Sequence, residues 1–355
     1  MPLDLPDFDD LPPVPGMPKG CAWGVFEKAM AKAGLADPND NGKDVYGTLN
    51  LLTPDVVCAA AREVRDGVSV SLNWAQGAMK RPTVGRCPLK HNVVAFTPEK
   101  HGFVGLDDEV AFNTQNSSQW DSLVHYPHQA SGKGYNGATT HLDEAVAAGT
   151  DNSASRLPTL EHWHRRGGLV GRGVLIDYVR YAKRHNIDYS PFSGHAITVA
   201  DMEAAARDQN NLELRHGDIL IVRCGFTEGL DALDADGQTA VFKARRYCGV
   251  EGSEATARWF WDRHFSAAAG DSVSFEVAPP QVDDGQGGKR DGGISEYVLH
   301  PYLLSFFGMP IGELWDLKAL AEQCEKSNRW SFMLTSVPLN VPGAIGSPPN
   351  VLAVF

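Results

Sequence analysis

The chain reads as an α/β protein, on three observations. Short apolar runs alternate with helix-start signals along its length, the pattern of strands interleaved with helices. Val174-Leu175-Ile176 and Ile219-Leu220-Ile221-Val222 are continuous apolar runs, typical of strands covered on both faces. Thr53-Pro54-Asp55 and Thr198-Val199-Ala200-Asp201 are helix openings of two kinds. The first sets a hydroxyl cap before a proline in the first turn and predicts a helix running on through 56–65. The second has the spacing of a capping box and predicts a helix ending near Gln209.

The remaining elements follow in order. Residues 1–47 form an N-terminal arm, expected to be extended with little regular structure, since the first twenty residues alone hold six prolines. Residues 48–355 are then expected to form one domain. Residues 68–73 alternate like a half-buried strand. Residues 253–265 and 314–324 are predicted helices, and 330–339 a closing strand. Residues 285–293 hold five glycines in nine positions and predict a flexible loop at a pocket edge. His162 and His164 lie two apart, a spacing that sends the imidazoles in different directions on a helix, and read as a solvated helix end. The glycines of 167–173 fall in the wrong order for a dinucleotide fingerprint, so no nucleotide cofactor is expected.

Composition removes several function classes. With 32 basic against 44 acidic residues the net charge is −12, which disfavours a nucleic-acid surface, and no basic cluster offsets it. No run of 18 apolar residues exists, so no membrane-spanning helix is expected. The six cysteines (21, 58, 87, 224, 248 and 324) are scattered without Cys-x-x-Cys spacing, as for reduced thiols in the cytoplasm. The acidic, proline-punctuated start resembles no targeting peptide. A small-molecule substrate is the expected partner. Neither Gly-x-Ser-x-Gly nor His-Glu-x-x-His occurs, which disfavours serine hydrolases and zincins.

Chemistry concentrates in residues 115–125, Gln-Asn-Ser-Ser-Gln-Trp-Asp-Ser-Leu-Val-His. Asp121 could hold a metal and His125 could shuttle a proton. A second acid/base pair, His300 and Glu313, lies far downstream, and two such pairs can meet only in the folded protein. Singly, each has a structural alternative: Asp121 could cap a turn, His125 could be a satisfied core histidine, and His300 before Pro301 could begin a helix. Their joint order favours function.

That order resembles the cyclase family that includes the bacterial kynurenine formamidases and isatin hydrolases. The family signature is His-x-Gly-Thr-His-x-Asp-x-Pro-x-His, followed much later by a His and, about a dozen residues on, a Glu. Laid on this chain, it puts Gln115 and Gln119 at the first two His positions, Asp121 on the Asp, Leu123 on the Pro and His125 on the last His. His300 and Glu313 match the downstream pair. Residues 171–177 and 216–225 read like the family too, so the resemblance runs over about 48–315. It implies a single domain with a central β-barrel-like mixed sheet flanked by helices, and a homodimer or homotetramer. A second Thr-His-x-Asp at 140–143 is more literal, but Gly137 and Ala147 fall where its outer histidines should be. It reads as a loop or helix cap.

The resemblance implies one divalent ion (Mn, Zn or Mg) on Asp121, His300 and Glu313, with His125 as acid/base. Gln115 and Gln119 replace imidazole nitrogens by weak amide donors, which removes the family's first metal position and leaves them to hydrogen-bond a substrate carbonyl. Trp74, Trp120 and Tyr135 lie beside family-like segments and are expected as aromatic walls. The implied activity is hydrolysis of a cyclic amide, lactone or N-formyl bond. Two alternatives stay open: a metal-independent lyase or cyclase using the same acid/base residues, and a non-catalytic ligand-binding homologue.

Overall fold

The computed structural model describes residues 3–36, 42–83, 85–139, 141–150 and 157–355. Its centre is a mixed sheet of nine strands: β1 (Ser69–Ser71), β2 (Gln119–Asp121), β3 (Leu169–Asp177), β4 (Ile219–Arg223), β5 (Ala267–Gly270), β6 (Ile311–Glu313), β7 (Ser331–Ser336), β8 (Gly346–Ser347) and β9 (Val351–Val354). Their spatial order is β1-β9-β7-β3-β4-β5-β6-β2-β8, curled into a half-barrel with helices on its flanks. Strands β3 to β6 run parallel to one another, and the outer pairs are antiparallel.

The apolar runs at the centre are buried on both faces, as their lack of alternation requires. Val174, Ile176, Leu220, Val222, Ala268 and Ile311 point into one core. Leu175, Ile219, Ile221, Ala267 and Ala269 point into the other, with Trp120, Trp315 and Phe332. Strand pleating therefore decides which core each residue joins. The capping box forms as read: Thr198 Oγ1 accepts from the Asp201 amide at 3.1 Å, Asp201 Oδ2 accepts from the Thr198 amide at 3.0 Å, and the helix runs Val199–Asp208.

Some expectations are corrected. The N-terminal arm carries a helix, Val25–Ala33, whose Val25, Phe26 and Ala29 are buried. The helix expected from 314 starts only at Lys318. Leu314 takes a left-handed φ of 54°, and the Leu314 and Trp315 amides donate to the Ser272 and Gly270 carbonyls, so that stretch is spent on tertiary hydrogen bonds. Residues 285–293 are not a plain loop: Gln281–Asp283 and Lys289–Asp291 pair as an antiparallel hairpin. The His162/His164 turn is not solvated. His162 is buried with Nε2 at 2.9 Å from the Leu157 carbonyl, and His164 Nε2 lies 2.8 Å from that of Pro338. Among the described residues no helix is long and apolar enough to cross a membrane.

Candidate active site

The site begins with strand register. In the antiparallel β2–β6 pair, Gln119 faces Glu313, Trp120 faces Gly312, and Asp121 faces Ile311. Because side chains alternate, Gln119, Asp121 and Glu313 share the face that Ile311 presents to the first core, while Trp120 turns to the other. Pairing across β8 sets Gly346 beside Asp121, and a Cβ there would lie 2.8 Å from Gln115 Cγ. Glycine thus lets the chain carrying Gln115 close over the strand edge.

His300 comes to this face from outside the sheet. It caps a π-helical turn, Pro301–Phe307, an uncommon local winding that often accompanies functional sites. Its anchor is Glu276, fully buried in the segment after β5. The Glu276 carboxylate accepts the amides of Val298 (3.0 Å), Leu299 (3.1 Å) and His300 (2.8 Å), and sits 2.7 Å from His300 Nδ1. That partner places the proton on Nδ1 and turns Nε2 toward Glu313. Sequence reasoning passed over Glu276. A signal was present, since it is the one charged residue in Val273-Ser274-Phe275-Glu276-Val277-Ala278-Pro279-Pro280, and a charge in such a run requires a dedicated partner.

Asp121, His300 and Glu313 are all buried, and one donor atom from each falls within 4.8 Å of the others. Gln119 Nε2 donates to Glu313 Oε2 at 2.7 Å and more weakly to Asp121 Oδ1 at 3.3 Å; Gln115 Nε2 donates to Asp121 Oδ1 at 2.9 Å. The glutamines thus hold one oxygen of each carboxylate. The other oxygens, Asp121 Oδ2 and Glu313 Oε1, are buried without a hydrogen bond among the described residues. Glu313 Oε1 lies 3.3 Å from His300 Nε2, near enough to pair by charge but out of line for hydrogen bonding. Two orphaned carboxylate oxygens beside an imidazole nitrogen fit a divalent ion such as Mn²⁺, Zn²⁺ or Mg²⁺. Orphaned buried oxygens are otherwise costly.

The charges fit the same geometry. Burial works against the His300 cation, but its bond to Glu276 and the nearby Glu313 carboxylate win, raising its pKa to about 10. Burial and the Asp121 charge push Glu313 up to about 7, against the pull of His300. His125 follows β2 in a turn closed by its amide on the Ser122 carbonyl (3.0 Å). Its Nε2 lies 3.9 Å from Asp121 Oδ1, and Gln115 Nε2 is 3.2 Å from both ring nitrogens. Desolvation lowers its pKa, only partly offset by Asp121, so the ring favours the neutral form that accepts a proton.

His125, His300 and Glu313 open onto a cavity of about 340 Å³, within the usual range for small-molecule sites. Its aromatic walls are Tyr126, Tyr297, Tyr247 and Phe242. Tyr297 stacks on the His300 ring, centroids 5.0 Å apart and planes at 17°. The aromatics expected as walls lie elsewhere. Trp120 packs edge-on to Trp315 in the opposite core and donates to Ser336 Oγ. Trp74 is buried and donates to Asp231 Oδ1, and Tyr135 is buried with its hydroxyl on Asp44. Position beside a motif was no guide to the face these rings occupy. In the second Thr-His-x-Asp, Thr140 lies outside the described residues, while His141 and Asp143 are exposed at the start of the helix Leu142–Thr150 and line no part of this cavity.

Comparisons with known proteins agree with this architecture. A family model described as "Putative cyclase" matches residues 68–277, more than half of the chain; Asp121, His125 and Glu276 lie inside that span, His300 and Glu313 beyond it. A crystal structure described as a novel cyclase superposes with a TM-score of 0.71 at 28% identity, over 88% of this chain and 96% of the other. Isatin hydrolase A from Ralstonia solanacearum gives 0.52 at 14% identity, over 85% and 97%. Isatin hydrolase A from Labrenzia aggregata, bound to benzyl benzoate, gives 0.51 at 14%, over 83% and 94%. At 14% identity these two speak for the fold alone. No curated protein matches the sequence.

Proposed function

The chain belongs to the cyclase family, and from that premise we propose that it is a hydrolase opening a cyclic amide, lactone or N-formyl bond of a small ring-containing compound. One observation carries the reading: among the described residues Asp121, His300 and Glu313 converge within 4.8 Å while Asp121 Oδ2 and Glu313 Oε1 have no hydrogen bond. These three residues would hold a divalent ion. When bound, such an ion lowers the pKa of a water and polarises a carbonyl.

The chain's own residues supply the rest. Glu276 holds the His300 ring by its Nδ1–H, leaving Nε2 to ligate. Gln115 and Gln119 fix the carboxylates by their amide N–H groups, and Gln119 Oε1 is left as a free acceptor. His125, on the cavity wall, takes a proton from the attacking water and passes it to the leaving nitrogen or oxygen. Tyr126 and Tyr297 flank the bond with flat apolar surface and keep bulk water away. A flat ring fits such a slot.

A second reading has its own support. Glu276 and Glu313 flank the His300 ring at 2.7 and 3.3 Å, an arrangement that favours a proton on each ring nitrogen. In that form the site would act as a metal-independent acid/base pair, in a lyase or cyclase. A panel of lactones, cyclic imides and N-formyl anilines, followed by proton release, separates the two. The metal reading expects hydrolysis that chelation abolishes and Mn²⁺ or Zn²⁺ restores. Turnover indifferent to chelator favours the second reading, and no hydrolysis with metal supplied overturns the proposal.

A further inference from the structure

Two cations on the cavity wall form no ion pair among the described residues. Arg86 and Arg245 both line the cavity, yet among the described residues neither guanidinium is paired with a carboxylate. Close neighbours in sequence are paired: Arg81 with Asp236 and Arg246 with Asp291, both at 2.5 Å. In a chain of net charge −12, unpaired arginines facing one cavity run against the overall balance.

The two sit differently. Arg86 is half-buried and held by one N–H, donated from Nη1 to the Gln115 carbonyl at 2.7 Å. Its charge reaches the catalytic groups, where it disfavours protonation of both His125 and Glu313. Arg245 is exposed at the mouth beside Phe242 and Tyr247, just after the helix Ala235–Ala244. It takes a left-handed φ of 52°, a position glycine usually fills at a helix end. Its side chain lies on the cavity wall. Glu313 is the sole carboxylate on that wall among the described residues; its Oε2 accepts from Gln119, its Oε1 lies 3.3 Å from His300 Nε2, and among the described residues no ion pair joins it to either arginine.

We propose that the cavity selects a substrate bearing a carboxylate on its ring, with Arg86 and Arg245 as the residues that select it. Guanidinium forks match a carboxylate in shape and donor spacing, and both retain free N–H donors. Phe242, Tyr247, Tyr126 and Tyr297 supply the apolar surface for the ring between charged ends. The inference rests on the hydrolase reading for the bond cleaved but not for what is bound.

Binding and turnover are therefore measured separately. Equilibrium binding of 2-aminobenzoate is compared with that of 2-aminobenzamide, its neutral isostere. Hydrolysis of 2-formamidobenzoate is compared with that of formanilide. Wild type is expected to bind the carboxylate at least about tenfold more tightly than the amide, with a preference that shrinks as salt rises. Arg86→Gln and Arg245→Gln should each cut that ratio several-fold, and the double variant should abolish it. A binding preference without hydrolysis of either formamide supports the inference while removing the hydrolase reading. Wild type that binds both probes equally, or neither, overturns the inference, and so does a double variant that keeps the preference.

Discussion

His125 carries the simplest prediction at the scale of single residues. The ring lines the cavity, within reach of Asp121 and Gln115, so His125→Ala should lower turnover by about 10² to 10⁴, the usual worth of a positioned proton transfer. His141→Ala, at the exposed second Thr-His-x-Asp, should cost far less; equal losses in the two variants would move the active site. Glu276 is the positioning residue. Glu276→Gln should weaken Mn²⁺ binding by about 10- to 100-fold, the common cost of losing a carboxylate behind a ligating histidine. Titration calorimetry showing unchanged affinity would deny it that role. Changing Gln115 and Gln119 together to His should add a zinc position beside Asp121, since both glutamines already bond that carboxylate and imidazole nitrogen outcompetes an amide. A folded double variant that takes no additional zinc would contradict this alignment. Asp121, His125, His300 and Glu313 stand out in the sequence by order, spacing and family resemblance, and the fold brings them together. Glu276 could not be paired with His300 in advance, because they lie 24 positions apart with a hairpin between them, and only the fold closes that gap.

Elements were legible where local physics dictates them. Strands β3 and β4 and the Val199–Asp208 helix follow from unbroken apolar runs and a capping box, and the structure has all three. The stretch around Leu314 was misread because its backbone bonds go to Ser272 and Gly270, partners remote in sequence. The same holds for Trp120: its strand is short, and only the register with β6 tells which face it takes. One acid-sensitive contact also belongs to this scale. His216, just before β4, packs edge-on against His264, just before β5, with centroids 5.1 Å apart. Burial and the His264 charge depress the His216 pKa to about 4. A depressed histidine contributes stability that is complete above its unfolded pKa of about 6.5 and is lost as pH falls toward 4. Chemical denaturation should therefore show stability dropping over pH 6.5 to 4. The His216 share is on the order of 1 kcal/mol, the residue as a whole being only partly buried. His216→Gln should flatten that slope, and an unchanged slope would assign the acid sensitivity elsewhere.

For the whole molecule, the sheet is the device that assembles the site. It brings residues 119–121 and 311–313 into register, and the segment after β5 supplies the carboxylate that fixes His300. The fold class is readable from alternating elements, and a barrel-like mixed sheet from the family resemblance; its half-barrel curl and the cavity walls required coordinates. A centre whose carboxylates carry orphaned oxygens should be stabilised by what fills it. Ion binding to the native state raises stability by RT ln(1 + [L]/Kd), so saturating Mn²⁺ at about 100 Kd should add about 2.7 kcal/mol. A melting temperature indifferent to metal would argue for the proton-satisfied form instead. The most direct measurement is the metal content of protein purified without chelator and equilibrated with Mn²⁺ or Zn²⁺, beside a Glu313→Gln variant. The account predicts about one ion per chain in wild type and a large loss in the variant. Wild type without bound metal, or a variant that retains it fully, would contradict the assignment of Asp121, His300 and Glu313 as a metal centre.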